Sequence, residues 1–85
     1  MTDSAYKFRL ADLLERVAEG TLRPIDALRE VEKWEDLPYW KREVAEALDI
    51  LMRFHADADL RDKDPEYDEG MRHGLRLQIS NLRSA

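Results

Sequence analysis

The amino-acid sequence predicts an all-α protein, a small four-helix up-and-down bundle folded as one domain over residues 1–85. Apolar residues recur at steps of three and four in four separate stretches, and no stretch alternates with the period of a strand. Only three glycines and three prolines are present, and most fall where those stretches begin or end. With 44% hydrophobic and 39% charged residues the chain is too apolar for disorder, and its apolar runs are too short to cross a membrane.

The first helix runs from Tyr6 to about Glu19, with Tyr6, Leu10, Leu13 and Val17 on one stripe and Leu14 beside it. Gly20 follows where a left-handed stop is expected, and Asp12 and Arg16 stand one turn apart on the wet side. Pro24 fits the first turn of a second, short helix whose stripe is Ile25, Leu28 and Val31, ending near Trp34. Arg23 occupies its N-cap position without an acceptor to offer, so Thr21, Asp26 or water has to serve the first N–H groups. Pro38 restarts the pattern, and Trp40, Val44, Leu48, Leu51 and His55 mark the buried face of a long third helix. Arg42 with Glu46 and Asp49 with Arg53 are spaced for ion pairs on its outer side.

Asp64-Pro65-Glu66 is the clearest start signal in the chain, combining a capping carboxylate, a proline at the first helical position and an acid in the first turn. The fourth helix then buries Tyr67, Met71, Leu75, Ile79 and Leu82. It carries acids early and Arg72, Arg76 and Arg83 late, the order its dipole favours. Gly70 and Gly74 interrupt it, each costing about 1 kcal/mol relative to alanine. Close approach of another helix, inside the bundle or across a dimer, is the expected compensation. The short second helix leaves neighbouring surface uncovered, which gives a homodimer room to form.

The formal charge of −5 is concentrated between Asp57 and Glu69, where seven acids face only Arg61 and Lys63; twelve acids and twelve bases balance over the rest. A charge localised in this way speaks about partners. The expected binding surface is Asp57, Asp59, Asp62, Asp64, Glu66, Tyr67 and Asp68, where a tyrosine among carboxylates can anchor a basic protein. Helix capping and dipole complementarity account for part of the same cluster without any partner. Trp34, Tyr39 and Trp40 frame the second junction, with Trp40 expected in the core and Tyr39 exposed. An acidic chain repels phosphate backbones, so nucleic acid is not an expected partner, and with its high charge and short apolar runs neither is a membrane.

Zero cysteines remove thiol nucleophiles, disulfides and thiolate metal sites, and together with a start, Met1-Thr2-Asp3-Ser4, that lacks a secretory pattern they favour the cytoplasm. The acids superficially resemble calcium loops but fail on detail. A loop starting at Asp57 would need an oxygen ligand at Arg61, glycine at Asp62 and glutamate at Asp68; one starting at Asp62 would need glycine at Tyr67. His55 and His73 would need Asp57 or Asp59 to hold zinc, and the ordinary outcome for His55 is a hydrogen-bonded or capping histidine at a helix end. No serine, threonine or lysine sits in a nucleophile context. No enzyme activity, metal or cofactor is therefore expected.

Two phrases carry a family likeness. Gly20-Thr21-Leu22-Arg23-Pro24-Ile25-Asp26-Ala27 links two short helices, and Arg53-Phe54-His55-Ala56-Asp57-Ala58-Asp59 closes a long helix before an acidic link and a final helix. In this layout the chain resembles the small helical immunity proteins of the colicin D type, which protect bacteria from tRNA-cleaving toxins. The resemblance implies an inhibitor whose acidic surface, here Asp57, Asp59, Asp62, Asp64, Glu66 and Asp68, covers the basic active site of a toxin nuclease. The spacing of the link and its Asp64-Pro65 start belong to this chain, so the family's inhibitory residues are not carried over one by one. The competing reading is a structural, homo-oligomeric helical module, in which the glycines of the last helix or the Trp34–Trp40 region are self-buried and the acids merely solvated.

Overall fold

A computed structural model describes residues 5–84 as five helices: α1 (Ala5–Glu19), α2 (Pro24–Glu32), α3 (Arg42–Ala56), α4 (Ala58–Lys63) and α5 (Pro65–Arg83). There is no strand among the described residues. Arg83 of α5 reaches Asp12 and Glu15 of α1, whereas Arg72 reaches the carbonyl of Ala18, so α1 and α5 run in opposite directions. Ile50 lies against Gly74, Phe54 against Arg72 and Asp57 against Tyr67, which sets α3 antiparallel to α5 as well. α2 packs on α1 and α3, and α4 on α5 and α3. No helix among the described residues is long and apolar enough to cross a membrane.

The first helix follows its periodicity. Tyr6, Leu10, Leu13, Leu14 and Val17 are all buried, joined by Ala11 and Ala18, which let α1 approach its neighbours closely. Gly20 adopts φ +83°, the conformation that costs an L-residue about 1–2 kcal/mol. The N–H groups of Thr21 and Leu22 turn back onto the Arg16 carbonyl and close the helix end. Arg23 caps nothing; its guanidinium instead grips the carboxylate of Asp26 at 2.8 and 3.3 Å, one turn into α2. The expected Asp12–Arg16 pair is replaced by Asp12–Arg83 at 2.8 Å, because α5 brings a longer-range cation to the same carboxylate. Arg42–Glu46 and Arg53–Asp49 form as spaced, at 3.4 and 3.2 Å.

The third helix departs from expectation at both ends. It starts at Arg42, after a turn in which the Tyr39 N–H bonds the Leu37 carbonyl and the Lys41 N–H bonds the Pro38 carbonyl. Trp40 lies in that turn, outside the helix whose period was extrapolated to it, and is 82% exposed. Tyr39 is exposed, as expected, while Leu37 and Pro38 are buried. The buried face is Val44, Ala47, Leu51 and Phe54. Alanine at 47 and phenylalanine at 54 rotate the stripe by one residue, moving Leu48 to its edge and leaving His55 exposed.

A fifth element was not expected. The acidic link itself coils into α4, with the Arg61 N–H on the Asp57 carbonyl and the Asp64 N–H on the Leu60 carbonyl, both 2.9 Å. Ala58, Leu60, Arg61 and Lys63 are good helix formers, but α4 buries none of its residues, so it leaves no apolar period to read. In α5, Leu75, Ile79 and Leu82 are buried and Met71 packs partly against the core. Tyr67, expected in that stripe, is exposed instead. A Cβ on Gly74 would meet Ile50 Cδ1 at 2.6 Å, so close approach of α3 explains this glycine; Gly70 faces open space and has no packing reason within the described chain.

Candidate protein-binding surface

The acids meet where α3, α4 and α5 turn past one another, and the structure divides them into two groups. Asp64 is an N-cap: its carboxylate accepts the N–H groups of Glu66 at 3.1 Å and Tyr67 at 3.3 Å, as the Asp64-Pro65-Glu66 signal requires. Asp57 accepts the Tyr67 hydroxyl at 2.5 Å. That bond, with burial and the Asp57 charge adding to it, raises the Tyr67 phenol above its ordinary value.

Asp68 is tied most tightly. Its carboxylate accepts Arg72 Nε at 2.8 Å and Arg61 Nη1 at 2.9 Å. Arg61 also donates to the Phe54 carbonyl at 2.9 Å and lays its guanidinium 3.6 Å from the centre of the Phe54 ring. Arg72 extends the network to the Ala18 carbonyl at the end of α1. Four helices are thereby clamped around one buried phenylalanine. The Arg72 bond, supported by the one from Arg61, holds the Asp68 carboxyl below the usual aspartate range against the opposing effect of burial.

The remaining acids are the ones available to a partner. Asp59, Asp62 and Glu66 are exposed and have no cation within 4.0 Å among the described residues; Glu69 meets Arg76 loosely, at 3.6 Å. Asp59, Asp62 and Glu69 edge a shallow, open cleft between α4 and α5, with Arg61, Asp68 and Arg72 as its least exposed walls. An incoming lysine or arginine would find carboxylates at the rim and no free acceptor deeper in. The seven residues expected to form one binding surface are thus neighbours, but three of the carboxylates hold the fold and three face solvent uncompensated.

Residue types alone did not point to Phe54, Arg61 or Arg72 as the organisers of this corner. The Asp68–Arg72 spacing is visible as a pair one turn apart. The partnership of Arg61 with Asp68 crosses a helix boundary at Asp64 and depends on α4 being helical. His55 and His73 are both exposed, and no group of three or more His, Asp or Glu among the described residues is placed to hold a metal ion.

A second exposed feature lies between α2 and α3, where Ile25, Leu28, Tyr39, Leu48 and Met52 line an apolar groove. The Tyr39 hydroxyl donates to the Val31 carbonyl at 3.4 Å across it. Comparison of the chain with protein-family models, curated proteins and solved structures returns no match.

Proposed function

We propose that the α4–α5 corner binds a basic partner protein, that the chain catalyses no reaction, and that its most concrete role is an immunity-like or antitoxin-like inhibitor of a toxin nuclease in the cytoplasm. The observation that carries this reading is the set of uncompensated carboxylates, Asp59, Asp62 and Glu66, beside the exposed ring of Tyr67. Clustered charge of one sign raises the association rate and selects against wrong partners, and a tyrosine supplies holding strength. In this reading the four longer helices form an up-and-down bundle that holds the corner rigid, with α4 as its projecting edge.

The test is capture on immobilised protein at low and high salt, with wild type beside Asp59→Asn/Asp62→Asn/Glu66→Gln. Contacts of this kind weaken as the Debye length falls from about 10 Å at 0.1 M to about 3 Å at 1 M. A basic protein held at low salt, released at high salt and lost by the triple variant supports the reading; a nuclease whose activity the wild type blocks makes the protein an inhibitor. Recovery of the bait alone, or equal capture by the variant, refutes it.

The second reading is a self-associating structural module, favoured by Trp40 at 82% and Met52 at 57% exposed. It predicts a dimer mass in solution that falls to a monomer in Trp40→Ala or Met52→Glu, and a monomer mass for the wild type rules it out.

A further inference from the structure

Opposite in charge to the acidic corner is a groove between α1 and α2. Arg9, Asp12, Leu13 and Arg16 recur on one face of α1, and Asp26, Arg29, Glu30 and Lys33 recur with the same spacing on the facing side of α2. Trp34 and Leu22 complete the lining. The groove holds about 550 Å³, within the range of about 300–1,000 Å³ typical of small-molecule clefts.

Its acids are already neutralised. Arg23 holds Asp26 at 2.8 Å, Arg83 holds Asp12 at 2.8 Å, and Lys33 lies 3.9 Å from Glu30. Arg9, Arg16 and Arg29 have no carboxylate within 4.0 Å among the described residues, although Arg29 stands near enough to Asp26 to act on its charge, so the groove carries three guanidiniums without an ion-pair contact in a protein whose net charge is −5. The Arg9 guanidinium rests 4.3 Å from the centre of the Trp34 ring, and the indole N–H of Trp34 is covered with no acceptor among the described residues. A ligand oxygen could satisfy that donor only by displacing the groups that cover it.

We propose that this groove binds a small phosphorylated organic molecule, with Arg16 and Arg29 on the phosphoryl oxygens and an apolar body along Leu13, Leu22 and Trp34. Guanidinium forks match phosphate oxygens in pairs, and three unmatched cations suit a group carrying close to two negative charges better than a lone carboxylate. A polynucleotide is disfavoured, because the unmatched guanidiniums are confined to one short groove while the chain as a whole carries −5 and would repel an extended backbone. This site is independent of the acidic corner and does not depend on its role.

The test uses Trp40→Phe, which leaves Trp34 as the only tryptophan, titrated with phenyl phosphate, inorganic phosphate and a short oligoribonucleotide while Trp34 fluorescence is followed. The Trp34 indole proton is followed by NMR in the wild type, so the result does not hang on one variant. A saturable response to phenyl phosphate is expected, with weaker binding of inorganic phosphate. Arg16→Gln and Arg29→Gln should each weaken phenyl phosphate about tenfold or more, and Arg76→Gln, away from the groove, should not. The proposal is overturned by the absence of saturation at millimolar phenyl phosphate, by equal binding in the two groove variants, or by an oligonucleotide that binds more tightly than the small probe.

Discussion

Replacing Asp68 by asparagine should destabilise this protein by about 2 kcal/mol, although the residue belongs to the surface acidic cluster. Its carboxylate is the shared acceptor for Arg61 and Arg72, whose side chains are 12% and 25% exposed, and is itself 24% exposed. Hydrogen bonds to charged groups contribute about 1.5–3 kcal/mol each when shielded. Partial exposure reduces that, and asparagine still accepts one bond while turning an NH₂ toward the other arginine, which brings the net loss to about 2 kcal/mol. At roughly 4–8 °C per kcal/mol for a domain of this size, the midpoint should fall by about 8–16 °C. The pH dependence has a fixed sign. Because the folded carboxyl lies below its ordinary value near 3.8, its stabilisation is fully present above that value and is lost as pH falls through the lower, folded pKa. Urea unfolding of wild type, Asp68→Asn and the exposed control Asp62→Asn should therefore show a constant wild-type advantage over Asp68→Asn from neutral pH to about 5, narrowing below about 4. An Asp68→Asn variant as stable as Asp62→Asn, or a gap that widens on acidification, would refute the clamp.

The two glycines of α5 should respond differently. Gly70→Ala meets open space and should raise stability by about 0.5–1 kcal/mol in the same urea titration. Gly74→Ala gains less or loses stability because Ile50 Cδ1 is in the way, and a double-mutant cycle with Ile50→Val should show favourable coupling. Gly20→Ala, at φ +83°, should cost about 1 kcal/mol or slightly more. In a spectrophotometric titration Tyr67→Phe should remove a phenol that ionises above the ordinary tyrosine value of 10.0; its stabilising bond to Asp57 is intact below that value and is lost as pH rises through the elevated one.

Where helix geometry was carried by a long apolar period, the sequence was sufficient. Tyr6 to Val17 gave the buried face of α1, Gly20 gave its left-handed stop, and Asp64-Pro65 gave the start of α5. Errors came where a period was extended past a boundary it could not mark. A stripe counted from Pro38 puts Trp40 and His55 on the buried face, but the helix begins at Arg42 and Phe54 takes the buried position. α4 was illegible for the opposite reason: it has helix formers and no core side chain, and the contacts that secure it come from Arg61, to Phe54 behind it and Asp68 ahead.

The acidic cluster shows why a charge count misjudges a surface. Counted along the chain, Asp57 to Glu69 carries −5, yet Asp68 is matched by two arginines, Asp64 by backbone N–H groups and Asp57 by a phenol. Meanwhile Arg9, Arg16 and Arg29, scattered in a stretch whose charges balance on paper, become an uncompensated basic groove because the acids between them are matched elsewhere, Asp12 by an arginine from the far end of the chain. What a partner or ligand meets is the charge left after internal pairing, and pairing over such distances is set by the packing of α5 on α1. Loosening that packing should alter both faces together: Asp68→Asn frees Arg61 and Arg72 at the corner and weakens the α5 hold on α1 near Ala18. A wild-type-like salt dependence of capture in Asp68→Asn, measured where that variant is still folded, would argue that the two arginines do not limit how negative the corner is.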